Sequence, residues 1–255
     1  MLDIARLPQR LVLTGVSWDY YEDMLKAIGD GHIRVTYLDG DMEIISPRDN
    51  PFPVDYLAFD GVSWAFYQST LKQIGDRPLR VTFFDGRMEI MSPLPKHEKA
   101  KKAIARLIEA MSEELEIPIA PFGSTTFQRE NQLSGLEPDE CYYIQNEARV
   151  RDMDRFDPAV YPPPDLAVEV DVVNRSVARE PIYARLGVPE IWRHHRSGLV
   201  VRVLTGAGAY ADHATSLAFP LLPMDQFTAF VERMLAGKQN DTLRDFRRWV
   251  RELPR

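Results

Sequence analysis

The chain has 255 residues, 45 % hydrophobic and 27 % charged, with a net charge of −7 at pH 7 and a pI near 5.3. These are globular proportions that predict a real core in one large domain, or one domain with an appendage. The acidic balance excludes a protein that lives on non-specific phosphate contacts, and the single cysteine, Cys141, excludes an intramolecular disulfide or a cysteine-rich zinc site.

The N-terminal MLDIARLPQRLVLTG lacks the unbroken apolar core of a signal peptide, and no stretch approaches the roughly 18 apolar residues of a membrane span. The expectation is a cytoplasmic protein with no membrane partner. Next comes a repeat. Gly15 to Pro47 aligns without a gap on Gly61 to Pro93 at an offset of 46, with roughly 20 of 33 positions identical, the mark of a recent duplication. Each copy predicts a short helix opened by a serine cap, Ser17 or Ser63, then two strands around an Asp-Gly turn at Asp39-Gly40 or Asp85-Gly86.

After Pro93, the segment PLPKHEKAKKAIARLIEAMSEELE carries Ala103, Ile104, Leu107, Ile108, Met111 and Leu115 at helical spacing and predicts a long helix. PIAPFGSTTFQRE predicts strand and turn. Leu136 to Gln145 reads LEPDECYYIQ, a strand with Asp139 directly after Pro138. A polar loop follows, and then YPPPDLAVEVDVV, where Leu166, Val168, Val170 and Val172 alternate with Ala167, Glu169, Asp171 and Val173 at the period of a strand. Ser176 to Leu186 reads as a helix stopped by Gly187. Glu190 to His195 and Leu199 to Thr205 read as strands, with another near Tyr210, and two helices separated near Gly237 close the chain.

The acids in the two central strands are the candidates for chemistry. Glu169 and Asp171 share one face but lie roughly 6 to 7 Å apart along the strand, so one strand does not make a site. If the two strands are neighbours, Asp139 meets Glu169 across the roughly 4.8 Å interstrand spacing. Two carboxylates suit Mg²⁺, a hard ion that keeps several waters, with Mn²⁺ as its substitute. The bland alternative is that these acids cap turns or face solvent. Asp165 also follows a proline, yet it lies roughly 13 Å along the strand from Glu169. His194 and His195 are adjacent and point to opposite faces. Trp192, Tyr142 and Tyr143 read as core residues rather than base-stacking platforms.

The DGRMEIMSP hairpin, the His97-Glu98 pair, FGSTTFQRE, GLEPDECYYIQN, PPPDLAVEVD and IYARLGVPEIWR occur in an order and spacing that resemble the Uma-type restriction endonucleases of the PD-(D/E)xK nuclease superfamily. The resemblance covers about Gly61 to Thr205. It implies an α/β fold (α+β mixed sheet) with a restriction-endonuclease-like core, flanking helices and added β-hairpins. On that reading residues 1–60 are a duplicated helix-hairpin appendage and 61–255 the endonuclease-like domain. It also implies a Mg²⁺-dependent endonuclease acting on DNA, with the metal on Asp139 and Glu169 and a helix acid, Glu98, joining them. The superfamily lysine two residues after the glutamate is Asp171 here, and counting back from Tyr183 places Arg179 where family members carry the lysine instead. Arginine stays protonated, so Arg179 steers or neutralises phosphate and leaves the base role to a water made acidic by the metal.

The rival reading is a nuclease fold retained as a binding or assembly module. A third is a subunit that contacts DNA only with a partner, which would account for the acidic charge. The extra repeat copy is expected either to extend a sheet edge or to enter a second molecule and make a homodimer.

Overall fold

The computed structural model describes residues 9–28, 34–46, 56–77, 79–91, 95–170, 178–195 and 197–254. The chain divides into two compact units: residues 1–93, 129–136 and 173–178 form the first, and 94–128, 137–172 and 179–255 the second. Both repeat copies lie in the first unit, so the compact units are drawn differently from a division at residue 60.

In the first unit each copy folds as strand, helix and hairpin. Copy one contributes β1 (Gln9–Leu13), α1 (Trp18–Ile28), β2 (Arg34–Leu38) and β3 (Asp41–Ser46), and copy two β4 (Tyr56–Phe59), α2 (Trp64–Ile74), β5 (Arg80–Phe84) and β6 (Arg87–Met91). The serine caps form as expected, Ser17 Oγ accepting from Tyr20 N at 3.2 Å and Ser63 Oγ from Phe66 N at 3.1 Å. The hairpins turn on residues with positive φ, Asp39 at 49° and Gly40 at 91°, Asp85 at 47° and Gly86 at 85°. That is the φ pattern of a tight two-residue hairpin turn, which favours Asp-Gly.

The strands that open each copy were not read from the sequence as part of the repeat, yet they obey it. Leu13 pairs with Met42 in copy one and Phe59 with Met88 in copy two, each number raised by 46. The outer pairing repeats as well, Tyr37 with Met42 and Phe83 with Met88. The extra copy does not extend the other copy's sheet. It builds its own, β1-β3-β2, because β1 occupies the hairpin edge that β4 occupies in copy two. The two copies share one core through their helices: Tyr20 stacks on Phe66 at 5.4 Å, and its hydroxyl donates to Thr70 Oγ1 at 3.0 Å.

The second unit begins with α3 (Pro95–Leu115), followed by β7 (Ala120–Pro121) and β8 (Phe127–Arg129), the latter at the division between units. The first unit's return segment carries β9 (Ser134–Leu136). Then follow β10 (Glu140–Tyr143), β11 (Leu166–Val170), α4 (Glu180–Leu186), β12 (Glu190–His195), β13 (Gly198–Leu204), β14 (Tyr210–His213), α5 (Met224–Ala236) and α6 (Gln239–Arg251). A six-stranded sheet runs β14-β13-β12-β11-β10-β7. Its one parallel pair is β11 with β12, joined by a crossover through α4, as parallel neighbours require. The helix read from Ser176 starts at Glu180. Pro181 sits in its first turn, where a missing N–H costs nothing, and residues 176–177 lie outside the described residues.

The sheet is apolar on both faces at its centre, with all five residues of β11 and all four of β10 buried. Tyr142, Leu166, Val168, Val170 and Trp192 face a core built with α3, α5 and α6, and Trp192 meets Phe227 edge-on at 5.1 Å. Two buried carboxylates fix the loops around this core. Glu190 accepts from Trp192 Nε1 at 2.6 Å and from the amides of Leu217 and Ala218 at 2.8 and 2.7 Å. Asp165 accepts from the amides of Ile144 and Asn146 at 2.7 and 2.9 Å, a turn clamp rather than a ligand pointing into a cleft. Among the described residues no helix is long and apolar enough to cross a membrane.

Candidate active site

The antiparallel register of β10 on β11 pairs Glu140 with Val168, Cys141 with Ala167 and Tyr142 with Leu166. Continued by one residue, it sets Asp139 opposite Glu169, and directly opposed residues share a face. Both acids are buried, Asp139 at 0 % and Glu169 at 2 % exposure. Buried carboxylates need compensation, and each has named partners.

Asp139 sits at the mouth of β10. Its Oδ2 accepts from Val170 N at 2.7 Å and lies 3.0 Å from His97 Nε2. His97 stands in the first turn of α3, itself buried, with its Nδ1 3.5 Å from Glu98 Oε1. Glu98 thus lies beside the imidazole that meets Asp139. One turn further along the same face is Lys101, whose Nζ lies 3.7 Å from Glu98 Oε2, 3.7 Å from Glu140 Oε1 and 3.4 Å from Ser124 Oγ.

Glu169 is held from the side of α4. Its Oε1 accepts from the Tyr183 hydroxyl and lies 3.2 Å from Arg179 Nε, while Arg179 also donates to the Glu137 carbonyl. Burial first, and then the charge of Glu169, pushes the Tyr183 hydroxyl well above its ordinary range, so it stays protonated and only donates. The charge of Asp139 raises it too, which places both acids within electrostatic reach of one phenol.

Of the residues singled out from the sequence, Asp139, Glu169 and Arg179 fall in this one region, and Glu98 adjoins it through His97. Asp171 lies outside the described residues. Arg179 is turned inward, onto Glu169. His194 and His195 are parted as their adjacency requires, His194 lying 3.2 Å from Glu232 Oε1 and His195 2.7 Å from Ser197 Oγ. Sequence reasoning missed Lys101 and the hydroxyl of Tyr183. A signal for Lys101 existed: His97, Lys101, Ile104 and Leu107 follow one another at helical three- and four-residue steps, so a histidine and a lysine sit in the apolar stripe of α3.

A cation can be tested against these donors. Among the described residues no group of three or more His, Cys, Asp or Glu side chains is arranged to hold a metal ion. What is present is a pair of hard oxygen donors on adjoining strands, which fits an ion that leans on one or two carboxylates and keeps its waters, and does not fit four-ligand zinc.

Comparison with known proteins bears on the class of chemistry. The family Uma2, described as "Putative restriction endonuclease", matches residues 66–229, well over half the chain. The chain belongs to the Uma2 family. Membership makes the coarse function that of a nuclease, and the matched span takes in both Asp139 and Glu169 but not the first repeat copy. Among solved structures the chain is similar to one described as a "putative nuclease belonging to DUF820" from Anabaena variabilis, at 14 % identity and a TM-score of 0.43 over 66 % of this chain and 96 % of that one. No curated protein matches.

Proposed function

We propose that this Uma2 protein is a metal-dependent phosphodiester hydrolase acting on DNA, with Asp139 and Glu169 holding Mg²⁺ or Mn²⁺. The observation that supports the reading is the β10–β11 register, whose continuation by one residue beyond Glu140–Val168 would bring the buried Asp139 opposite the buried Glu169. A divalent cation bound there supplies charge for the phosphate and acidity for a water molecule. The chain's own residues supply geometry. His97 and the Val170 amide fix Asp139, Tyr183 fixes Glu169, and Glu98 lies beside His97 as an outer acid. Asp171, two residues beyond Glu169, is a further ligand candidate. Arg179 does not act as a base, since a guanidinium does not give up its proton. Its charge holds Glu169 and adds positive potential for the phosphate.

A second reading has its own support. Arg179 already neutralises Glu169, so the site can persist as a folded, cation-free core of a binding module. Cleavage of supercoiled plasmid with Mg²⁺ or Mn²⁺ separates the two, with wild type, Asp139→Ala, Glu169→Ala and Arg179→Lys compared. The nuclease reading expects metal-dependent nicking lost in both alanine variants and raised by the lysine. Silence of wild type and Arg179→Lys alike, with folded protein, favours the binding module. Cleavage by Glu169→Ala at the wild-type rate removes the proposed site.

A further inference from the structure

The duplication contains an internal control. In copy two, the outer edge of β5 is paired antiparallel by β9, Phe83 with Gly135 and Phe84 with Ser134, and the Asp85 amide donates to the Leu133 carbonyl at 3.1 Å. Over that pairing lie Trp64, Tyr67 and Phe83, packed ring to ring at 5.0 to 5.5 Å. Glycine is required there, because a Cβ at position 135 would run into the Tyr67 ring. Covered in this way, Tyr67 and Phe83 are 0 % and 1 % exposed.

Copy one builds the same platform and leaves it open. Trp18, Tyr21 and Tyr37 pack ring to ring at 5.0 to 5.4 Å. Among the described residues nothing pairs with the outer edge of β2; Tyr21 and Tyr37, the counterparts of the buried Tyr67 and Phe83, are half-buried, and Trp18 and Leu38, the counterparts of the half-buried Trp64 and Phe84, are 55 % and 70 % exposed. An edge strand with an aromatic platform beside it is a template for another strand.

We propose that the β2 edge of copy one is a docking site for an extended segment with the chemistry of β9, a Leu-Ser-Gly-Leu-Glu strand supplied by another protein. In the register of copy two its glycine lies opposite Tyr37 and under Tyr21. Its serine lies opposite Leu38, and its leucine carbonyl takes the Asp39 amide. Two residues past the glycine, the acid falls opposite Val35, on the face that carries Val35 and Tyr37, so the occupant is set by the glycine under Tyr21 and the strand register. A second copy of β2 does not suit it, since Arg34–Leu38 contains no glycine. The segment's own chain cannot supply it either, because its β9 is already paired with β5.

The test is fluorescence anisotropy of a labelled peptide with the sequence of residues 130–138 against the full chain. Saturable binding is expected, weakened tenfold or more when the peptide glycine is valine. Val35→Pro on the protein should weaken it equally, because alternation from the Asp85 bond makes the Val35 N–H an outward donor. Trp18→Ala, which alters an exposed ring and no backbone donor, should weaken binding too and decides the matter if the proline variant melts early. No saturable signal to millimolar protein, or equal affinity for the valine peptide, overturns the proposal. So does a micromolar dimer dissociated by Val35→Pro, which would give the edge to a second copy.

Discussion

His97 Nε2 lies 3.0 Å from Asp139 Oδ2, and the same oxygen accepts the Val170 amide at 2.7 Å, so a helix residue and a strand backbone fix one carboxylate oxygen together. Partners that orient a ligand typically matter by about 10- to 100-fold in metal affinity or activity. His97→Ala is therefore expected to weaken Mn²⁺ binding in calorimetry by about that factor, with plasmid nicking falling in parallel. Unchanged affinity would make the histidine a helix-packing residue only.

Arg179 and Glu169 form a buried ion pair, both under 10 % exposed. Removing one partner leaves a buried charge and costs about 3–5 kcal/mol. Arg179→Met should lose stability on that scale in urea unfolding, while Arg179→Lys should lose much less. A methionine variant as stable as wild type would mean that Glu169 is neutral in the folded protein.

Glu190 gives a contrasting prediction, since two of its three acceptor bonds tie β12 to the Leu217–Ala218 turn and the third comes from Trp192 within β12, none of them involving Asp139 or Glu169. Glu190→Gln keeps the shape but replaces an acceptor oxygen with a donor. A loss of about 1.5–3 kcal/mol is expected in the same assay, with metal affinity unchanged.

Alkaline pH probes the contact between the repeat copies. Burial pushes the Tyr20 hydroxyl up to about 12, partly offset by its bond to Thr70. An unfolded tyrosine ionises near pH 10. The stability from keeping Tyr20 neutral is thus fully present below about 10 and is lost between about 10 and 12, at about 1.4 kcal/mol per pH unit. Tyr20→Phe should flatten that slope in urea melts taken across the window. Tyr142, Tyr143, Tyr183 and Tyr210, also pushed up by burial, maintain the remainder.

The elements of the second unit were legible because their signals are local. The α3 stripe, the Pro-Asp before β10 and the alternation of β11 each lie in one window, and the Asp139–Glu169 pairing needed only the assumption that the strands are neighbours. Arg179 and His97 were named from the sequence, but which acid each one holds was not legible, nor was the Tyr183 hydroxyl, since Tyr183 and Arg179 arrive by a crossover and His97 by a helix more than 40 residues upstream of Asp139. In the first unit β1 and β4 escaped notice because QRLVL and YLAF differ in sequence though they pair alike. Repeat identity begins only at Gly15 and Gly61, after these strands.

Tyr20 and Phe66 hold the same position in the two copies and stack on each other, so the duplicated unit associates with its twin through a like face. Two such units on separate chains would part on dilution. Joined in one chain, each meets the other at a fixed effective concentration, and the pairing no longer depends on how much protein the cell makes.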